Sequence, residues 1–342
     1  MGCERRVLLA FSGGNDSCAA VGILRAHGYE PTLLTLDMTG DRSLLARARR
    51  AAEALDTPLL TADVRTSFTR QVVDYFASGY LTGETPAPCT ECNSRIKWNT
   101  LRDVSIERGI GRIATGHYFR LSRQYGKVFV RQAADPAKDQ SYYLWGVSQS
   151  CLERAIAPMG ETLKREAEER LPAGLKSPES MGICFQRGEN YREFLRRRAP
   201  NGIRPGEIVD RNGKRIGTHD GYAFYTVGQK RGLGLPPSLA VVAIDADRNR
   251  LIAGEDEELR RCRLTIRAWN VPDMEQLCRS RELRVVIRGI GRNPDGFARV
   301  RPERDRLHVE LEYPAWAPAP GQPVVFYERD IVLGGGILAG SG

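Results

Sequence analysis

Short apolar runs alternate with amphipathic stretches through the first third of the chain. The run Arg6–Phe11 is apolar at consecutive positions, as is typical of a parallel strand buried on both faces. The same pattern predicts strands at Pro31–Leu36, Pro58–Ala62 and Gly111–Gly116, and helices at Ser17–His27 and Leu44–Leu55. Strand–helix alternation predicts an α/β fold with a doubly wound parallel sheet, whose ligands bind beyond the carboxyl ends of the strands.

From about residue 201 the pattern changes to short alternating runs separated by turn residues such as Asn212 and Gly213. The runs that indicate β structure are Tyr222–Val227, Leu283–Arg288, Leu307–Tyr313 and Pro323–Tyr327. We therefore expect an α/β domain over residues 1–200, a small central β domain over 201–258 and a second β domain over 259–342.

Composition narrows the class of protein. The 342 residues are 41% hydrophobic and 27% charged, without an apolar run of about eighteen residues, so no membrane span is expected. The N-terminal stretch has no secretory pattern, which predicts a cytoplasmic protein. The 8 cysteines of such a protein are not expected to form a disulfide framework. A net charge of +9 is compatible with a polyanionic partner but does not establish one.

The stretch Ser12–Ser17, which is Ser-Gly-Gly-Asn-Asp-Ser, joins the first predicted strand to the first predicted helix. Glycines let backbone N–H groups approach a phosphate, the helix N-terminus adds a positive dipole, and the two serines add hydroxyl donors. Asp16 is a candidate magnesium ligand. The loop resembles that of the PP-loop pyrophosphatases, which cleave ATP between the α and β phosphates and adenylate a carbonyl oxygen.

Two cysteine-containing segments add a second kind of chemistry. Cys89 and Cys92 form a C-x-x-C pair expected on a proline-rich loop just before a helix, where the helix N-terminus, Arg95 and Lys97 would favour a thiolate. Such a pair can be a redox couple, half of a metal site or a coincidence. Cys184 stands two residues after Gly182, far along the chain, where a cysteine taken alone would most often be a buried core residue. We interpret the other cysteines as structural or incidental; they are Cys3, Cys18, Cys151, Cys262 and Cys278.

Taken together, these motifs resemble those of the bacterial tRNA 2-thiouridylases, and they occur in family order over essentially the whole chain. The matching stretches beyond the loop are Thr85–Lys97, Ala114–Tyr118, Lys138–Leu144, Gly182–Phe185, Tyr225–Gly234, Pro320–Tyr327 and Leu333–Gly336. The resemblance implies ATP-dependent 2-thiolation of the wobble uridine of tRNA. It also implies tRNAs of the Glu, Gln and Lys type as acceptors, a cysteine desulfurase or sulfur-relay protein as donor, and a β-barrel as the last domain.

The resemblance also assigns roles to individual residues. Cys184 would carry a persulfide and Cys92 would be its catalytic partner. ATP would be contacted by Ala10, Phe11, Ser12, Gly13, Gly14, Asn15, Asp16, Ser17, Leu36 and Gly116. tRNA would be contacted by His117, Lys138, Asp139, Gln140 and Gln322. A structural role stays open for several of these: His117 as a strand-end cap, Lys138 and Asp139 as an ion pair, and Gln322 as a turn residue.

Cys89 stands where some members of that family have aspartate. With Cys92 and Cys184 it supplies three thiolates, enough to hold three irons of a four-iron four-sulfur cluster and leave one iron open. Persulfide chemistry without a cluster is the alternative.

Two rival functions remain compatible with the sequence. A PP-loop amidotransferase or ligase would need neither Cys92 nor Cys184, and a non-catalytic RNA-binding or iron–sulfur protein would release no pyrophosphate. The basic run Arg196–Arg198 ends a helix predicted from Tyr191, where it would contact RNA phosphates or form a solvated helix face.

Overall fold

The structure is a computed structural model, and it describes residues 5–124, 126–171, 174–177, 182–186, 188–289 and 292–342. The strands are β1 (Arg6–Ala10), β2 (Glu30–Asp37), β3 (Leu59–Asp63), β4 (Arg112–Thr115), β5 (Arg120–Gln124), β6 (Lys127–Arg131), β7 (Ala155–Ile156), β8 (Gly206–Val209), β9 (Arg215–His219), β10 (Ala240–Asp245), β11 (Arg250–Gly254), β12 (Arg260–Asn270), β13 (Leu283–Val286), β14 (Ala298–Glu303), β15 (Arg306–Trp316), β16 (Pro323–Glu328) and β17 (Ile331–Ser341). The helices are α1 (Asn15–Ala26), α2 (Arg42–Ala54), α3 (Arg65–Phe68), α4 (Asp74–Leu81), α5 (Pro88–Glu91), α6 (Trp98–Glu107), α7 (Gln149–Leu152), α8 (Lys164–Glu169), α9 (Tyr191–Arg198) and α10 (Met274–Arg279).

Two compact units divide the chain. The first contains residues 1–72, 89–181 and 330–333, and the second contains residues 73–88, 182–329 and 334–342. The predicted boundaries at residues 200 and 258 stay a prediction, because the units are defined by packing rather than by continuous sequence. No helix among the described residues is long and apolar enough to cross a membrane.

A parallel sheet with the strand order β3-β2-β1-β4-β7 forms the centre of the first unit. The predicted α/β fold is confirmed. Val7, Leu8 and Leu9 of β1 are fully buried because helices cover both faces of a central parallel strand. Helix α2 begins where the Asp41 side chain accepts a hydrogen bond from the Ser43 N–H at 2.8 Å, which satisfies one of its free amide donors.

The β5–β6 hairpin also belongs to the first unit. Arg131 of β6 pairs with Ile331 at the start of β17, and the Asp330 carboxylate accepts hydrogen bonds from Arg120 at 3.1 Å and from Arg131 at 2.6 Å. These contacts explain why residues 330–333, near the end of the chain, group with the first unit.

The second unit contains β structure, as expected for the later residues. Its smaller sheet has the order β10-β11-β8-β9, and its larger one contains β13-β16-β17-β12-β15-β14. Along the β14–β15 ladder, Ala298, Val300, Val309 and Leu311 are buried and alternate with exposed neighbours, the pattern of a sheet with one face on a core. The edge strands β13 and β14 approach each other, as in a closing barrel.

One expected β run is wrong. Residues 222–224 of the run Tyr222–Val227 form a 3₁₀ turn, not a strand. The backbone closes a turn here, because the Phe224 N–H donates to the Gly221 carbonyl and the Tyr225 N–H to the Tyr222 carbonyl, both at 3.0 Å. Phe224 is buried, and the Tyr222 hydroxyl donates to the Leu81 carbonyl at 2.7 Å.

Helix α4 packs in the second unit although it follows β3 in sequence. Phe76 of α4 meets the rings of Phe185 and Phe194 at centroid distances of 5.4 and 5.7 Å, and Tyr80 stacks on Tyr191 at 5.3 Å. An aromatic cluster therefore connects helix α4 to the segment that contains Cys184.

Candidate active site

The loop Ser12–Gly14 lies beyond the carboxyl end of β1, as predicted, and α1 begins at Asn15. Gly13 adopts a φ of +68°, and a Cβ at this position would lie 2.8 Å from the Ala48 Cα. Only glycine meets both demands without strain. The loop backbone is therefore held tightly against helix α2.

The two serine hydroxyls of the loop lie close together. The Ser17 hydroxyl donates to the Gly14 carbonyl at 2.9 Å and lies 3.3 Å from the Ser12 hydroxyl. No side chain among the described residues caps α1, so its first-turn N–H groups remain available to an anion. A Cβ on Gly116 would lie 3.0 Å from the Ser17 amide nitrogen, so glycine is needed where β4 ends against the loop.

Asp16 is held by two donors. One carboxylate oxygen of Asp16 accepts from the Lys164 ammonium at 2.7 Å and from the Tyr118 hydroxyl at 3.1 Å. Burial, together with the Asp16 charge, raises the pKa of Tyr118, which keeps its hydroxyl protonated as the donor. The negative charge at the loop is thus offset by a cation from α8, a contact that the sequence did not reveal.

Asn15 joins the loop to a distant segment. Its side-chain carbonyl accepts from the Ser177 N–H at 2.9 Å, and its amide donates to the Ser177 carbonyl at 2.9 Å. This two-way pairing anchors residues 174–177 to the first turn of α1.

The ends of β1 and β2 carry three of the predicted ATP contacts, Ala10, Phe11 and Leu36. The Phe11 carbonyl accepts from the Thr35 hydroxyl at 2.8 Å, and Phe11 is buried. Ala10 ends β1, while half-buried Leu36 pairs with Ala62 near the end of β2. Ala10, Leu36 and the loop are all at the carboxyl edge of the sheet.

Cys89 and Cys92 lie inside a helical run rather than on a loop before a helix. Residues 88–91 are α-helical, residues 92–97 form a π-helical turn, and α6 follows directly. Pro88 suits the first helical position because its missing N–H would have no partner there. Cys89 is exposed and Cys92 is 5% exposed. Arg95, expected to favour a thiolate, pairs instead with Glu91 at 2.5 Å.

Cys184 lies in a turn of the second unit and is exposed. The next residue, Phe185, is buried in the aromatic cluster around Phe76, so the position of the Cys184 backbone is anchored by its neighbour. Ser180 and Met181, which precede this motif, lie outside the described residues, as does Cys3.

No group of three or more His, Cys, Asp or Glu side chains in the described part of the chain is arranged to hold a metal ion. Cys89 and Cys92 belong to the first unit and Cys184 to the second. An iron–sulfur cluster on Cys89, Cys92 and Cys184 therefore stays a prediction.

Several predicted tRNA contacts have internal partners. The Gln140 carbonyl oxygen accepts from the Tyr118 N–H at 3.0 Å, and Asp139 accepts from the Ala133 N–H at 2.8 Å and from the Ser141 hydroxyl at 2.7 Å. Lys138 is half-buried in the same segment. These contacts fix the turn before residue 141 next to Tyr118 and hence next to Asp16.

His117 and Gln322 also have structural contacts. Nδ1 of His117 lies 3.0 Å from the Thr115 hydroxyl. Burial, with a smaller effect of the nearby Lys97 ammonium, lowers the pKa of His117 to about 3, so the ring is neutral at neutral pH. The Gln322 carbonyl oxygen accepts from the Ala319 N–H at 3.0 Å within a turn of the second unit. The roles of these residues toward tRNA stay predictions.

The three arginines at the end of α9, Arg196–Arg198, make different contacts. Arg197 pairs with Glu189 at 2.5 Å and Arg198 pairs with Asp74. Arg196 lies over the Phe224 ring, 4.6 Å from its centroid. Two of the three arginines thus have carboxylate partners within their own unit.

Three protein-family models match consecutive parts of the chain. Residues 5–188 match the model described as a tRNA methyl transferase HUP domain, residues 192–255 a tRNA methyl transferase PRC-barrel domain, and residues 259–338 an aminomethyltransferase β-barrel domain. Fold, loop and these matches define the class: a nucleotide-binding α/β enzyme domain followed by two β domains.

Curated relatives narrow the class to a family. The tRNA-specific 2-thiouridylase MnmA 2 of Phocaeicola vulgatus is 39% identical over 98% of this chain and 98% of its own length. The tRNA-specific 2-thiouridylase MnmA of Moorella thermoacetica is 39% identical over 97% of this chain and 98% of its own. This chain belongs to the tRNA-specific 2-thiouridylase family. A solved predicted subunit of tRNA methyltransferase from Methanocaldococcus jannaschii shares 17% identity, with a TM-score of 0.32, over 48% of this chain and 72% of that one.

Proposed function

We propose that this chain replaces the 2-oxygen of the wobble uridine of tRNA by sulfur, with ATP as the activating substrate. The observation that carries the proposal is the loop Ser12–Ser17: it presents uncapped helix N–H groups and two hydroxyls at the carboxyl edge of a parallel sheet. Family membership gives that phosphate site an acceptor, because the curated relatives are named tRNA-specific 2-thiouridylases.

Activation is the first step of the proposed reaction. The uridine 2-oxygen attacks the α-phosphorus of ATP, and the bond from that phosphorus to the α–β bridging oxygen breaks with its electron pair leaving on pyrophosphate. Carbon 2 of the uracil then carries adenylate as a good leaving group. The uncapped first-turn amides of α1 and the helix dipole stabilise the charge that develops on the phosphates.

Sulfur transfer is the second step. A persulfide on Cys184 supplies its outer sulfur to carbon 2, adenylate leaves, and Cys92 forms a disulfide with the Cys184 sulfur. In the alternative order, Cys92 first displaces hydrosulfide from the persulfide, and the hydrosulfide attacks carbon 2. Both orders end in the same disulfide, which an external thiol must reduce before the next turnover. The target base must leave its stack, as is usual for enzymes that act on bases.

The exposure of the two thiols supports their order in the relay. Cys184 is exposed, as a sulfur acceptor from another protein must be, and Cys92 is 5% exposed, which protects it from unspecific oxidation. We propose a cysteine desulfurase or sulfur-relay protein as the donor, and cytoplasmic tRNAs of the Glu, Gln and Lys type as acceptors.

The proposed metal is magnesium that arrives with ATP. Magnesium is commonly held by phosphate oxygens and one or two carboxylates, and Asp16, 42% exposed and with one oxygen bound by Lys164, is the carboxylate at this loop. When bound, the ion would offset charge on the leaving pyrophosphate.

Persulfide chemistry without an iron–sulfur cluster is the version proposed here. Anaerobic purification followed by an iron count and an absorption spectrum tests it. Less than one iron per ten chains in fully active protein supports the proposal, and about four irons per chain that activity requires would overturn this part of it.

The deciding experiment for the function is Cys184→Ser, with Cys262→Ser as the matched control. Cys262 is also exposed but lies on β12, far along the chain from the motif. We expect Cys184→Ser to form no detectable 2-thiouridine while ATP binding stays within about twofold of the original protein, because the loop is unchanged. Normal thiolation by Cys184→Ser would refute the proposed sulfur route.

A further inference from the structure

Arg47 on α2 lies against the first residue of the nucleotide loop. Its Nε and Nη2 atoms donate to the Ser12 carbonyl at 3.2 and 3.1 Å. The neighbouring residue, Ala48, is the one that a Cβ on Gly13 would strike, so helix and loop are packed at this point. The guanidinium is thereby held at a fixed place beside the loop amides.

The charge of Arg47 is not offset by an acidic partner in the described part of the chain. Among the described residues, Arg47 forms no ion pair with a carboxylate, whereas Arg65 pairs with Asp63 at 2.5 Å just beyond β3. Of the five N–H donors of a guanidinium, the Ser12 carbonyl takes two, which leaves three. Its charge acts on the start of α1, since it opposes the burial that raises the pKa of the Cys18 thiol to about 11.

The other arginines of α2 differ from Arg47 in their exposure. Arg42, Arg49 and Arg50 are exposed on the outer face of α2, while Arg47 is half-buried and turned to the loop. A half-buried arginine with spare donors and no carboxylate, beside a loop that binds phosphate, has the chemistry of an anion ligand.

We propose that Arg47 binds the β- and γ-phosphates of ATP and stabilises the pyrophosphate that leaves. When the bond between the α-phosphorus and the bridging oxygen breaks, negative charge moves onto pyrophosphate, and the spare N–H groups of Arg47 donate to it. This inference rests on the proposed use of ATP, but it does not depend on tRNA or on sulfur.

The test measures binding of ATP, pyrophosphate and AMP, each with magnesium, to Arg47→Gln by titration calorimetry. Glutamine keeps an amide that can donate to Ser12 but loses the charge. We expect ATP and pyrophosphate to bind about tenfold to a hundredfold more weakly, the range for a lost charge-assisted hydrogen bond, with AMP within about twofold. Arg49→Gln, on the exposed face of the same helix, should leave all three affinities unchanged.

Loss of AMP affinity by the same factor would mean that Arg47 only supports the loop structure, which would overturn the proposal. Unchanged pyrophosphate affinity would overturn it as well. Arg47→Lys keeps a positive charge and should recover part of the pyrophosphate affinity; no recovery would count against it. Thermal unfolding of each variant checks that the fold is retained. Because no thiolation is measured, failure of the sulfur route leaves this result standing, and the reverse also holds.

Discussion

The loop Ser12–Ser17, the proposed nucleotide site, and the turn that contains Cys184 are held in place by different kinds of contact. The loop is held on several sides, with Gly13 against α2, Gly116 against the Ser17 amide and the Asn15 side chain paired twice with the Ser177 backbone. The Cys184 side chain is exposed, and the ring of the neighbouring Phe185 anchors its turn in the aromatic cluster. A phosphate site benefits from rigid, preorganised amides, whereas a sulfur carrier must meet partners one after another, so the two regions suit the two halves of the proposed reaction.

The first prediction tests whether the loop Ser12–Ser17 is rigid. Gly13→Ala adds a Cβ 2.8 Å from the Ala48 Cα at a φ of +68°, so the loop must move. We expect ATP affinity, measured by calorimetry, to fall by more than about tenfold, since preorganised amides supply the phosphate contacts.

Gly28→Ala is the matched control for that change. Gly28 has a similar φ of +78°, but nothing lies within 4 Å of its added Cβ. This variant should lose about 1 kcal/mol of unfolding free energy from backbone strain and bind ATP normally. Equal ATP affinity in the two variants would mean that the loop is not preorganised.

A smaller effect is expected when the two thiols are compared directly. Alkylation by iodoacetamide, followed by mass spectrometry, should modify exposed Cys184 at least about fivefold faster than Cys92, because reaction requires access to the sulfur. Exposed Cys262 serves as the internal standard for access. Faster labelling of Cys92 than of Cys184 would reverse the proposed order of carrier and partner.

The sequence predicts the parallel sheet well because local patterns determine it. Strand β1 and helix α1 follow from an apolar run, two glycines and an amphipathic stretch that are adjacent in the chain. The sequence does not predict the 3₁₀ turn at residues 222–224, because its aromatic alternation has the same spacing as a strand. The backbone bonds from Phe224 to Gly221 and from Tyr225 to Tyr222 define the turn.

Contacts between residues that are far apart in the chain could not be predicted from the sequence. Lys164 reaches Asp16 across 148 positions, and Arg47 reaches Ser12 across 35, and neither belongs to a recognisable motif. Tyr118 stands in the stretch Ala114–Tyr118 that resembles the family, so its position was marked, but its hydrogen bond to Asp16 appears only when β4 is placed beside β1. The roles assigned to Cys92, Cys184 and the tRNA-contact residues stay predictions.

The central claim is that adenylation and thiolation are two steps of one reaction on tRNA. The most direct measurement quantifies pyrophosphate and 2-thiouridine in the same reaction mixture, with purified protein, tRNA, ATP, magnesium and a persulfide donor. We expect one pyrophosphate for each 2-thiouridine, and neither product when tRNA is omitted. Formation of 2-thiouridine without ATP, or tRNA-dependent pyrophosphate release without any 2-thiouridine, would contradict it.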